Sequence, residues 1–137
     1  MVAIDFGNSV SPLLEEIKID FNEFGYCLCI TDTKGSHADL TAEYAAIPKE
    51  MKSVAGYFGK DVLAEVEEEK FYQNIPEIRK ELGDRAVLRA IHFMEENKRV
   101  MRAVDALKRQ NIQDFLVEIK ESGASSFRYL QNVLQYL

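Results

Sequence analysis

The chain has 137 residues, 47% of them hydrophobic and 29% charged, which is enough for one globular domain with a real core. Charged residues interrupt every apolar run, so no membrane span is read, and the opening MVAIDF lacks the basic-then-apolar pattern of a secretory signal. A net charge of -6 argues against a nucleic-acid backbone as the main partner.

Taken in order, residues 2–6 favour a strand, and Gly7, Asn8, Ser9 and Pro12 mark a loop. Residues 13–21 set Ile17, Ile19 and Phe21 on one face and Lys18 and Asp20 on the other, the pattern of a half-buried strand. The nearly continuous apolar run at 26–31 suits a strand covered on both faces. The expectation is α+β: a small three-stranded antiparallel sheet and a dominant layer of helices. Cys27 and Cys29, the only cysteines, are expected to be buried free thiols in a reducing cytoplasm.

From about residue 38 to residue 137 the spacing is helical. Leu40, Tyr44, Ile47, Met51, Val54 and Phe58 form one stripe, startable by Asp39 or Thr41, interrupted by Pro48 and ended by Gly56 and Gly59; Pro48 predicts a kink or a second start near Ile47. Asp61 is read as the cap of a short helix carrying Val62, Leu63 and Val66, followed by the acidic run Glu65, Glu67, Glu68 and Glu69, read as a solvated face. Asn74 and Pro76 open a helix that Gly83 closes. Asp84 then caps the longest helix, to about Arg109, with Val87, Ile91, Met94, Met101, Val104 and Leu107 on its stripe. A helix over 111–122 buries Ile112, Phe115, Leu116 and Ile119 and stops at Gly123; Ser125 or Ser126 caps a last one, with Phe127, Leu130, Val133, Leu134 and Leu137 inward. That last stripe runs into the final residue, which suggests a chain that continues.

No complete catalytic set emerges from spacing. The glycines are too scattered to cradle phosphates, and Gly59-Lys60 is followed by Asp61 rather than Ser or Thr, which excludes a Walker-type loop. His37, His92, Cys27 and Cys29 lack zinc-ligand spacing. His92 and Glu96, four apart on one helix face, read as a surface hydrogen bond.

Two segments carry a resemblance. His37 is followed by Thr41, Ala42, Glu43 and Tyr44, and a later helix carries Arg89, Ala90, His92, Glu96, Asn97, Arg99 and Val100, with Phe115, Glu121 and Ser122 beyond it. In this order these residues resemble galactokinase, of the GHMP small-molecule kinase superfamily, over nearly the whole chain. The resemblance implies that residues 1–137 are a single partial domain, a piece of that fold's C-terminal lobe. It implies that Tyr44 hydrogen-bonds a galactose hydroxyl, while His37 shapes the strand-to-helix junction. Where the family has basic residues after Glu-Tyr, this chain has Ala46, Ile47 and Pro48, and where it has His after Glu-Ser, Gly123.

The family's N-terminal Arg-Asn-Leu-Ile-Gly-Glu-His motif, its Gly-Leu-Ser-Ser-Ser phosphate loop, its catalytic Asp and its C-terminal glycine-rich loop do not occur in these residues. The resemblance therefore implies a parent enzyme using ATP and Mg2+ to phosphorylate galactose in the cytoplasm, and a piece that binds neither cofactor and is inactive alone. A sheet edge and an apolar face left open predict that the isolated piece self-associates. A non-catalytic sugar sensor, an N-acetylgalactosamine kinase and a stand-alone helical interaction domain are the other readings.

Overall fold

Val2–Asp5 (β1) and Leu13–Glu16 (β2) pair antiparallel, Val2 opposite Glu16 and Asp5 opposite Leu13. The ladder extends one step further, since Met1 and Ile17 exchange backbone hydrogen bonds of 2.8 Å in both directions. The structure is a computed structural model, and it describes residues 1–7, 10–32 and 41–131. The readings that involve His37, Asp39, Leu40, Val133, Leu134 and Leu137 lie outside the described residues.

The sheet has two strands among the described residues, not three. The expected strand at 13–21 stops at Glu16, because the Asp20 carboxylate accepts from the Asn22 amide (2.9 Å) and starts a 3-10 turn over Phe21–Phe24. The alternation survives the loss of pairing: Ile17 is buried, Ile19 and Phe21 are half-buried, and Lys18 and Asp20 face water. Residues 26–31 join no ladder among the described residues. Leu28 and Ile30 are 90% and 95% exposed, and Cys27 and Cys29 are exposed free thiols rather than buried ones, their Sγ atoms 3.6 Å apart. A strand needs a neighbour for its backbone groups and a layer over its side chains; among the described residues the run has no pairing strand, and only Tyr26 is tied down, its amide donating to the Phe21 carbonyl (3.0 Å) and its hydroxyl accepting from Gln113 (3.0 Å).

Thr41–Tyr57 (α1) runs through Pro48 without a second start. It ends in a glycine cap: Gly59, at φ +68°, turns the chain so that its amide reaches the Gly56 carbonyl (2.9 Å) and Lys60 reaches Ala55 (3.0 Å). A 3-10 turn, Leu63–Glu65, follows; its start is Val62 with no side-chain cap, so Asp61 does not serve as one. Next come Glu68–Gln73 (α2) and Ile75–Leu82 (α3), the latter with Pro76 in its first turn, where a missing N–H costs nothing.

Asp84–Lys108 (α4) is the spine. Its cap position is Gly83, not Asp84, whose carboxylate is instead paired with Arg79. The N-terminal half of α4 packs Ala86, Val87, Ala90 and Met94 against Val54 of α1, Phe71 of α2 and Ile78 of α3. Its C-terminal end packs Ala106 and Leu107 against Ile17 and against Ile112 and Phe115 of Ile112–Ser125 (α5). Met101 and Ile119, expected inward, are exposed. Gly123 lies inside α5 and does not stop it; no new cap forms at Ser125 or Ser126, and the chain continues as one π-helical turn, Ser126–Leu130, with Phe127 outward.

Candidate functional site

Tyr44 stands in the first turn of α1 with 45% of its surface exposed, so it is not a core residue of that helix's inner stripe. Pro48, four residues on, has no N–H to give, so the Tyr44 carbonyl lacks its intrahelical donor. The residue stands on an exposed turn.

Behind that turn lies a charged clasp between α1 and α4. Glu43 and Glu50 are seven apart, two turns on one face of α1; Arg85 and Arg89 are four apart on α4. Arg85 grips Glu50 through Nη2 (2.6 Å) and Nε (2.9 Å), and its Nη1 lies 3.5 Å from Glu43. Arg89 is wholly buried. Its Nη1 donates to Glu50 (2.8 Å) and its Nε to the Leu130 carbonyl (3.2 Å) of the π turn. Its Nη2 lies 3.7 Å from the Glu43 carboxylate, too far for a hydrogen bond, and has no hydrogen-bond partner among the described residues. One guanidinium thus ties together α1, α4 and the chain after α5, directly under the turn that presents Tyr44.

One turn further along α4 the polar residues bury themselves a second time. His92, expected to pair with Glu96 at the surface, is buried, and its Nδ1 meets Ser125 Oγ at 2.9 Å. Ser125 Oγ also accepts from Arg99 Nη2 (2.8 Å). Glu96 accepts from Arg99 Nε (2.8 Å) and from the Ser122 hydroxyl. With Arg99 donating to it, the Ser125 hydroxyl can give its own proton to Nδ1, which fits a neutral His92 carrying its proton on Nε2. Burial pushes the His92 pKa down; the Glu96 carboxylate pulls it up and Arg99 pushes it down again. Burial alone raises Glu96, yet the Ser122 hydroxyl and the Arg99 guanidinium outweigh it and hold that carboxyl below its ordinary value.

The acidic run after the 3-10 turn is partly neutralised: Glu67 pairs with Lys70, and Glu68 shares Lys98 with Glu95, whose other contact is the Tyr72 hydroxyl (3.2 Å). Hydrogen bonds donated by Lys98 to Glu68 and Glu95 hold it above the ordinary lysine range. A hollow of about 570 Å³ beside Glu68, Glu69, Tyr72 and Gln73 is a surface depression distant in sequence from Tyr44. Among the described residues no group of three or more His, Cys, Asp or Glu is placed to hold a metal ion, and no helix is long and apolar enough to cross a membrane.

Sequence reasoning picked out Tyr44, Arg89, His92, Glu96, Arg99 and Ser122. The structure brings His92, Glu96, Arg99 and Ser122 together around Ser125, sets Arg89 in the separate clasp with Glu50, and leaves Tyr44 on the surface. It missed Glu50, Arg85 and Ser125. The matched spacing of two glutamates on α1 with two arginines on α4 was the signal for the first two.

In sequence the chain is similar to galactokinases, and the resemblance expected from the sequence is borne out. It is 35% identical over 101 residues to a galactokinase of Glaesserella parasuis, covering 74% of this chain and 26% of that protein. A galactokinase of Actinobacillus pleuropneumoniae is 36% identical over 84 residues, 61% of this chain and 22% of its own length. One from Thermosipho africanus is 29% identical over 125 residues, 88% of this chain and 33% of its own length. The chain thus spans between about a fifth and a third of the curated relatives it matches. No protein-family model and no solved structure matches it.

Proposed function

We propose that the chain is a segment of a galactokinase, part of the C-terminal lobe of the GHMP fold. The whole enzyme would transfer the γ-phosphoryl of ATP to the anomeric hydroxyl of galactose, in the cytoplasm and with Mg2+. The observation that carries this reading is the 35% identity over 101 residues to a galactokinase about four times as long as the matched stretch. Phosphoryl transfer depends on positioning and on charge stabilisation around the moving group. These 137 residues hold no phosphate-cradling loop, so the segment's part is to build scaffold and to supply one sugar contact.

That contact is Tyr44. Its phenol both donates and accepts, which suits a sugar hydroxyl, and its turn is held from behind by Arg85 and Arg89 through Glu43 and Glu50. Tyr44→Phe in the enzyme expressed from its full reading frame should raise KM for galactose about tenfold, the loss of one hydrogen bond worth about 1.4 kcal/mol. The KM for ATP should stay within about twofold. An unchanged KM for galactose removes Tyr44 from the sugar site.

A further inference from the structure

Different forces hold the two halves of α1. Its C-terminal half enters the larger core through Met51, Val54, Ala55 and Tyr57, whereas no residue of α1 before Met51 belongs to either core cluster among the described residues. The N-terminal half is tied to α4 by charge instead, through Glu50 and Glu43. These two ties are unequal. Glu50 accepts short hydrogen bonds from Arg85 and Arg89, while Glu43 meets both guanidiniums through one oxygen, Oε2, at 3.5 and 3.7 Å and without a hydrogen bond among the described residues. The first turn also lacks one backbone link to the turn after it, because Pro48 has no N–H to donate to the Tyr44 carbonyl. Helix ends fray unless something pins them, and the pin nearest Tyr44 is the loose ion pair of its neighbour.

We infer that Glu43 is a positioning residue for the sugar contact: its ion pair with Arg85 and Arg89 latches the first turn of α1, and Tyr44 with it, against α4. The inference rests on the reading of Tyr44 as a contact of galactose. Arg89 gives the latch its direction. Its Nη2 is buried without a hydrogen-bond partner among the described residues, and such a donor gains from any movement that brings an acceptor within reach. Arg89 itself is fixed by Glu50 and by the Leu130 carbonyl, so the carboxylate must do the moving. A shift of the first turn by about half an ångström toward α4 would make the 3.7 Å contact a hydrogen bond. A sugar that holds Tyr44 in that position closes the latch, and by reciprocity a closed latch holds Tyr44 for the sugar. Arg85 and Glu43 are both half-exposed, so salt should weaken the latch, and galactose, which carries no charge, should bind less well as ionic strength rises.

Galactose phosphorylation by the protein from its full reading frame, at saturating ATP, tests this. Glu43→Gln keeps the size of the side chain and removes its charge. It should raise KM for galactose about fivefold and leave kcat and the KM for ATP within about twofold. The urea midpoint should shift by less than about 0.5 M, since the pair is half-exposed. Raising NaCl from about 0.05 M to about 0.5 M should raise the galactose KM about threefold in the unsubstituted protein and less than about 1.5-fold in Glu43→Gln. Placed on Tyr44→Phe, Glu43→Gln should add less than about twofold, because a residue acting through Tyr44 then has no contact left to position. A full fivefold on that background, or an unchanged KM in the single variant, would overturn the inference. Hydrogen exchange without galactose reads the latch alone: amides of residues 45–47 should exchange about fivefold faster in Glu43→Gln, and those of Val54 and Ala55 at the same rate. Equal exchange at 45–47 overturns it too. If the full protein does not phosphorylate galactose, or Tyr44→Phe leaves its KM unchanged, the reading of Tyr44 fails and the inference with it. If Tyr44→Phe raises that KM and Glu43→Gln does not, the inference fails alone.

Discussion

Arg89 is a charge with no exposed surface, and such a charge persists only when counter-charges and hydrogen bonds replace the water it has lost. Glu50 supplies the short contact and Glu43 only a 3.7 Å one, so the two glutamates should not be equivalent. Glu50→Ala should cost about 3 kcal/mol in urea unfolding, by stranding the guanidinium. Glu43→Ala, at a half-exposed position, should cost less than about 1 kcal/mol. Equal losses would contradict the clasp as described.

The His92–Ser125–Arg99 knot makes a pH prediction. Because the folded His92 pKa lies below its unfolded value of about 6.5, the unfolded chain binds more protons in that interval. The contribution is complete above the unfolded value and is lost as the pH falls through the folded one. The urea midpoint should therefore drop as the pH falls below the unfolded value, and His92→Gln should remove that component. An identical pH slope in the variant would refute it. The spacing of Arg89, His92, Glu96 and Arg99 showed that they share a helix face. That the face points inward was not legible, because polar periodicity is read as outward and Ser125 lies past a glycine that reads as a stop.

At the scale of elements, two glycines show how context decides. Gly59 takes φ +68° and closes α1 with a 6→1 hydrogen bond, as its place after an apolar stripe predicts. Gly123 keeps ordinary helical backbone inside α5, with nothing within 4 Å of where a Cβ would sit. Gly123→Ala should thus stabilise the protein by about 0.5–1 kcal/mol, measured by urea or thermal unfolding; a loss would mean that the backbone there is not helical. Helices from α1 to α5 were legible because their apolar stripes find partners within the chain: Val54, Phe71, Ile78 and Met94 meet in one cluster. The run at 26–31 has equally strong local preference for a strand, yet pairing is a property of neighbours, and no described residue provides it.

On the scale of the whole molecule, α4 joins two small cores, one with α1, α2 and α3 and the other with α5 and the hairpin. The polar connectors on its faces bind α1, α5 and the π turn to that spine. The clasp and the knot hold the helices together and leave Tyr44 exposed on the first turn of α1. The proposed function assigns positioning to these residues and phosphate chemistry to residues outside them. The most direct measurement is the formation of galactose 1-phosphate from galactose, ATP and Mg2+ by the 137-residue chain and, in parallel, by the protein from its full reading frame. No product is expected from the first and steady turnover from the second. Turnover by the 137 residues alone, or none by the full protein, would contradict that.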